Sequence, residues 1–171
     1  MKRKGAARVA YPAVLGAVSL ILVYAASVAP AGNWGLVAVA GVLSAAAVIS
    51  VGLGAGVLCW AGVSLLSFLL LPGKFCALLY TALFGLYPLV KSLIERLRKR
   101  GLEYLLKLAF FNASFTLIFL VMRAAVLDSL PAALGTVWVL YLAANVVFLV
   151  YDFGFSRLIG FYVARISRAV R

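Results

Sequence analysis

Between Gly35 and Leu71 the chain carries no charged side chain. One helix of that length would far exceed a bilayer core of about 30 Å at about 1.5 Å per residue. A soluble fold would have to bury nearly all of it. The run therefore has to break and cross an apolar medium more than once. Gly52-Leu53-Gly54-Ala55-Gly56 is the place to break, because glycine weakens helix and admits tight turns. This predicts one helix over Leu36–Val51 and another over Val57–Leu71.

Composition extends that reading to the whole chain. Of 171 residues, 67% are hydrophobic and 12% charged. A soluble domain with so few charges would expose large contiguous apolar patches. The chain reads as an all-α membrane protein of about six transmembrane helices. Lys2, Arg3, Lys4 and Arg8 precede a first helix over Val9–Ala29, which stops at Pro30. Basic residues before an apolar core also open a secretory signal, and Ser27-Val28-Ala29 resembles a cleavage site. The core is long for a signal and Pro30 follows the site directly, so the helix reads as retained. Beyond Pro72-Gly73-Lys74, a fourth helix covers Phe75–Val90, with a kink expected at Pro88. Lys91 to Lys107 mixes charges with leucines and reads as helix extensions along a membrane surface. A fifth helix follows over Leu108–Leu127, a turn at Asp128-Ser129-Leu130-Pro131, and a sixth over Ala132–Tyr151.

The tail from Phe153 to Arg171 reads as an amphipathic helix. At about 100° per residue, Arg157, Arg165, Arg168 and Arg171 share an arc of roughly 120°. Leu158, Ile159, Tyr162, Val163, Ile166 and Val170 lie mostly opposite. Such a helix is expected to rest on anionic headgroups. The domain plan is thus one transmembrane domain: a basic N-terminus (1–8), a six-helix bundle (9–152) and a basic tail (153–171).

The net charge of +12, with sixteen basic and four acidic residues, comes mainly from three clusters between apolar runs. Spread over a soluble surface it would point to nucleic acid; gathered at helix ends it points to membrane orientation and anionic lipid. Four helices separate the first cluster from the second, and two separate the second from the third. Both counts are even, so all three clusters fall on the cytoplasmic side, with both termini inside.

Chemistry is sparse. There is no histidine, and the acids are Glu95, Glu103, Asp128 and Asp152. No set has metal-ligand spacing, no phosphate loop or nucleophile–base pair appears, and no cofactor is implied. A membrane-embedded enzyme would have to work through Asp152 or Glu95, and the chain is read as non-enzymatic. Cys59 and Cys76 fall at different depths and are not expected to form a disulfide. Polar residues inside a membrane need a reason. On the outer side Asn33, Trp34, Lys74, Arg123 and Asp128 could close over a small ligand: Asn33 by hydrogen bonds, Trp34 by stacking, Lys74 or Arg123 by charge. Ordinary turn chemistry and a local Arg123–Asp128 pair are the plainer account. An inner set comprises Tyr87, Lys91, Glu95, Glu103, Lys107, Asn112, Asn145 and Asp152. Asn112 and Asn145 are placed to face each other, and Lys91 has Asp152 and Glu95 as candidate partners. Interhelical adhesion explains this set, and so does a docking face or an ion pathway. Ala13 and Ala17 stand one turn apart, a small-xxx-small spacing that lets helices approach closely.

Laid out in this way, the chain resembles the substrate-binding S components of energy-coupling factor (ECF) vitamin transporters, or a separate small membrane family of the same fold. Ala13 and Ala17 match that family's first-helix AxxxA motif. Val39 to Lys91 has a similar rhythm: an apolar helix, a glycine-rich turn, another helix, Pro72-Gly73-Lys74, then Leu83-Phe84-Gly85-Leu86-Tyr87-Pro88. The resemblance implies that Ala13 and Ala17 face a transmembrane scaffold subunit. It also implies that the chain captures a small molecule beneath its outer loops in a prokaryotic plasma membrane. The scaffold and two cytoplasmic ATPases would then drive release inside. No motif names the vitamin. The competing expectation is a non-catalytic structural or assembly subunit whose basic inner face binds lipid or a partner.

Overall fold

The computed structural model describes residues 2–97, 99–122 and 137–169. They are all-helical, and six helices among them are long and apolar enough to cross a membrane. The chain divides into two compact units, Met1–Arg96 and Leu97–Arg171.

In the first unit, α1 runs from Lys2 to Val28. It begins earlier than the expected Val9, since lysine, arginine and alanine are good helix formers and extend the helix past its apolar part. Helix α2 covers Asn33–Ser50 and α3 covers Leu53–Leu70. The glycine run does break the long apolar stretch, but only at Gly52, whose φ of 123° is open to glycine and strained for any side chain. Helix α3 therefore starts at Leu53 rather than Val57. Gly54 and Gly56 stay helical, because backbone groups at membrane depth find their partners within the helix.

The fourth span is segmented: α4 (Lys74–Leu79), a π-helical turn (Tyr80–Phe84), α5 (Tyr87–Ile94) and a 3-10 turn (Glu95–Leu97). The irregularity expected at Pro88 lies instead at the π turn, where the Gly85 N–H donates to the Tyr80 carbonyl at 2.7 Å. Pro88 sits in the first turn of α5, where a missing N–H removes no helical hydrogen bond. The Trp60 indole Nε1 on α3 donates to the Thr81 carbonyl within the wide turn, at 3.0 Å.

Small residues bring these helices close, as they must where lipid supplies no hydrophobic drive for helix pairing. Val37, Ala40, Ala45, Ala46 and Ala47 of α2 are buried, with Val23 and Ala26 of α1. Gly41 meets the fourth span so closely that a Cβ there would collide with the Phe84 carbonyl oxygen. The buried Ser19 hydroxyl ties α1 to α2 by donating to the Ala40 carbonyl at 2.9 Å. Ser44 and Tyr80, also buried, share a hydroxyl–hydroxyl bond of 2.7 Å.

The second unit is a pair of helices, α6 (Arg100–Val121) and α7 (Val137–Ala169). Residues Leu102 to Lys107 belong to α6 rather than to a separate surface-lying extension, because no breaker stands between Gly101 and Leu108. Helix α7 runs unbroken for 33 residues, so the expected boundary between a sixth helix ending at Tyr151 and a tail beginning at Phe153 does not exist. Asp152 does not interrupt the helix, as its carboxylate is satisfied on the α6 side. The expected starts and ends at Leu127 and Ala132 lie outside the described residues.

Candidate functional site

Buried residues on α6 recur at Lys107, Phe111, Ser114, Phe115 and Ile118, the helical spacing of one face. That face meets α7 through a ladder of paired side chains. Lys107 Nζ donates to Asp152 Oδ2 at 3.4 Å, with both residues more than nine-tenths buried. The Phe111 and Phe148 rings stack with centroids 4.3 Å apart. Asn112 and Asn145 exchange reciprocal amide bonds of 2.9 and 3.0 Å. Each asparagine also donates its second N–H to its own helix, to the carbonyls of Leu108 and Tyr141. The Thr116 and Tyr141 hydroxyls lie 2.7 Å apart, and Phe115 meets the Tyr141 ring edge-on. The expected facing of the two asparagines is thus present. Lys107 and the Thr116–Tyr141 rung add to it.

This ladder is suited to holding two helices in register. It is poorly suited to conducting ions. Between Asp152 and Asn145 the seam is filled by the stacked phenylalanines, and each asparagine donor is already engaged.

In the first unit, Lys91 is buried and pairs with Glu95 at 3.1 Å, with Nζ 5.7 Å from the centroid of the buried Tyr87 ring. Glu95, one of its candidate partners, stands one turn away on the same helix face. Glu95 itself is half exposed, so the pair sits at the edge of the unit.

The outer candidates have structural work. Lys74 Nζ donates to the carbonyls of Phe68 and Leu71, at 2.6 and 2.8 Å, and so closes the end of α3. Trp34 is half exposed and meets Phe75 edge-to-face at 5.7 Å. Asn33 is the first residue of α2. Arg123 and Asp128 lie outside the described residues. Lys74 and Trp34 therefore act on α3 and α4.

Ala13 and Ala17 are exposed and line an apolar groove between α1 and α3, of about 440 Å³. Its lining combines the small residues Ala13, Gly16, Ala17 and Gly62 with Val9, Leu20, Leu58 and Leu66. Gly16 is the point of contact with α3: a Cβ there would stand 3.6 Å from Val63 and 3.7 Å from Cys59. The two alanines on either side of Gly16 stay open to whatever surrounds the protein. Cys59 and Cys76 are free thiols.

Lys107 and Asp152 both stood in the inner set, but their pairing was not foreseen, and the hydroxyls of Ser19, Ser44 and Tyr80 were residues that spacing alone did not single out. Their signal is a lone serine in an apolar helix, which is common enough to pass for filler. The chain matches no family model, no curated protein and no solved structure.

Proposed function

We propose that this chain is a non-catalytic subunit of an integral membrane complex, joined to a second membrane protein through the groove between α1 and α3. The exposure of Ala13 and Ala17 on that groove carries the reading. Small residues left open at membrane depth, between leucine and valine ridges, receive the ridge of another helix. Several polar residues of the described spans support it from the other side: Lys107 and Asp152, Asn112 and Asn145, and Ser44 and Tyr80 bind one another, and Ser19 and Lys74 bind the chain's own carbonyls. In this reading the basic clusters hold both termini in the cytoplasm of a prokaryotic cell, and the plasma membrane surrounds the bundle.

A second reading makes the same contact serve uptake. The exposed Ala13 and Ala17 occupy the positions at which the ECF resemblance puts the scaffold subunit. A small vitamin-like molecule would then enter from the side of Asn33 and Trp34, with ATPases bound to the scaffold supplying the energy.

A photocrosslinking residue at position 17, used in intact membranes, tests both. The proposal expects a discrete adduct with one membrane protein, lost in Ala13→Leu and weak from position 65 on the outer face of α3. A scaffold that brings ATPases with it assigns the chain to uptake, and any other membrane protein to assembly. Equal crosslinking from positions 17 and 65 overturns the groove as a contact.

A further inference from the structure

The register of the hairpin shows where α7 outruns its partner. Lys107 is level with Asp152, Asn112 with Asn145, and Thr116 with Tyr141. Continued in the same register, Arg100, the first residue of α6, is level with Ile159. From Gly160 to Ala169 helix α7 has no α6 beside it, over about 15 Å. Burial agrees: Phe155 is buried, and none of residues 156–164 is. Phe161 is 69% exposed, and Leu158 and Val163 are about half exposed. After Asp152 the sequence contains no acid, but it contains Arg157, Arg165, Arg168 and Arg171.

The length of α7 says what covers this end. Trp138, near the other end, is 83% exposed, as suits an interfacial aromatic. From Trp138 to Tyr162 is about 36 Å along the axis, or about 34 Å along the bilayer normal at a typical tilt of about 20°. That distance sets one aromatic at each face of a core of about 30 Å. Phe161 and Tyr162 then fall in the headgroup layer, and positions 165 and 168 just beyond it. Arg157, whose guanidinium lies 5.2 Å from the Phe153 ring centroid, falls just inside. Apolar residues at this depth are covered by lipid, and arginines at this depth meet phosphates.

We infer that the overhanging end of α7 binds the headgroups of anionic phospholipids, with Phe161 and Tyr162 seated among them and Arg157, Arg165 and Arg168 supplying the countercharge. This goes beyond the partner contact on α1 and α3 and does not depend on it.

The test is native mass spectrometry of the full chain in mild detergent with equimolar phosphatidylglycerol and phosphatidylcholine. The wild type is expected to retain phosphatidylglycerol preferentially. Arg157→Gln/Arg165→Gln/Arg168→Gln should reduce that preference by about fivefold for each charge lost, at about 1 kcal/mol per basic residue near an anionic surface. The corresponding triple lysine variant should keep most of it, which separates charge from folding. Equal retention of both lipids by the wild type, or an unchanged preference in the glutamine variant, overturns the inference. A nitroxide at Leu158→Cys, one residue from Arg157 and on the inner side of the headgroups, with Cys59 and Cys76 replaced by alanine, gives an independent reading in nanodiscs of the same two lipids. Collision with oxygen is expected there to exceed collision with a water-soluble nickel chelate. The reverse result puts this end in water and makes a protein partner its occupant.

Discussion

Asp152 is half of a buried ion pair in the second unit. Its carboxylate faces Lys107 in a seam where neither side chain meets solvent. Removing one partner takes a counter-charge from the other at a buried site. Asp152→Ala is therefore expected to destabilise the α6–α7 pair by about 3 kcal/mol or more. Lys107→Met/Asp152→Leu, which removes both charges and keeps the volume, should restore most of that stability. Steric trapping or denaturant unfolding in a bilayer mimetic measures both. A double variant as unstable as the single would show that the pair does more than neutralise itself. The asparagine rung is milder: Asn112→Ala should cost about 0.6–1.7 kcal/mol, and a cycle with Asn145→Ala should show strong coupling, because each amide is the other's partner. The facing of Asn112 and Asn145 was legible, since two polar residues at matching depth in adjoining apolar helices have few other places to go. The Lys107–Asp152 rung was not, because Lys107 sat in a charged stretch that also fitted a surface-lying segment.

At the scale of the elements, Gly41 marks a close approach of α2 to the backbone of the fourth span. Gly41→Ala would place a methyl on the Phe84 carbonyl, which belongs to the π turn and cannot rotate away like a side chain. We expect a loss of about 1–3 kcal/mol, the usual range for overpacking, read as a lower unfolding midpoint in detergent. An unchanged midpoint would mean that the π turn yields. The spans themselves were largely legible from the uncharged stretch and its glycines, because apolar length and helix breakers act locally. The segmented fourth span was not. Pro88 is the visible irregularity, but a proline in a first turn disturbs nothing. The π turn rests on contacts from other helices, Trp60 to the Thr81 carbonyl and Ser44 to Tyr80, which no local pattern encodes. The unbroken α7 was hidden for a related reason. Asp152 looks like an interfacial stop until its partner on α6 is known.

For the molecule as a whole, orientation is the most consequential expectation, because it decides which face meets the cytoplasm. The turn at Gly52 lies between α2 and α3. Under the charge distribution it shares a side with the N-terminus, two spans away. Gly54 is exposed at the start of α3, with nothing within 4 Å of a Cβ placed there. Gly54→Cys in a cysteine-free background should therefore fold and remain reachable. A membrane-impermeant maleimide added to intact cells should leave it unmodified, and the same reagent should label it after permeabilisation. With the first basic cluster inside, labelling from outside would require an odd number of crossings between it and residue 54. It would leave α1 or α2 short of a full crossing. That result breaks the even spacing of the basic clusters. With the first and last of them on opposite sides, the α1/α3 groove and the arginines of α7 could no longer be read in one topology.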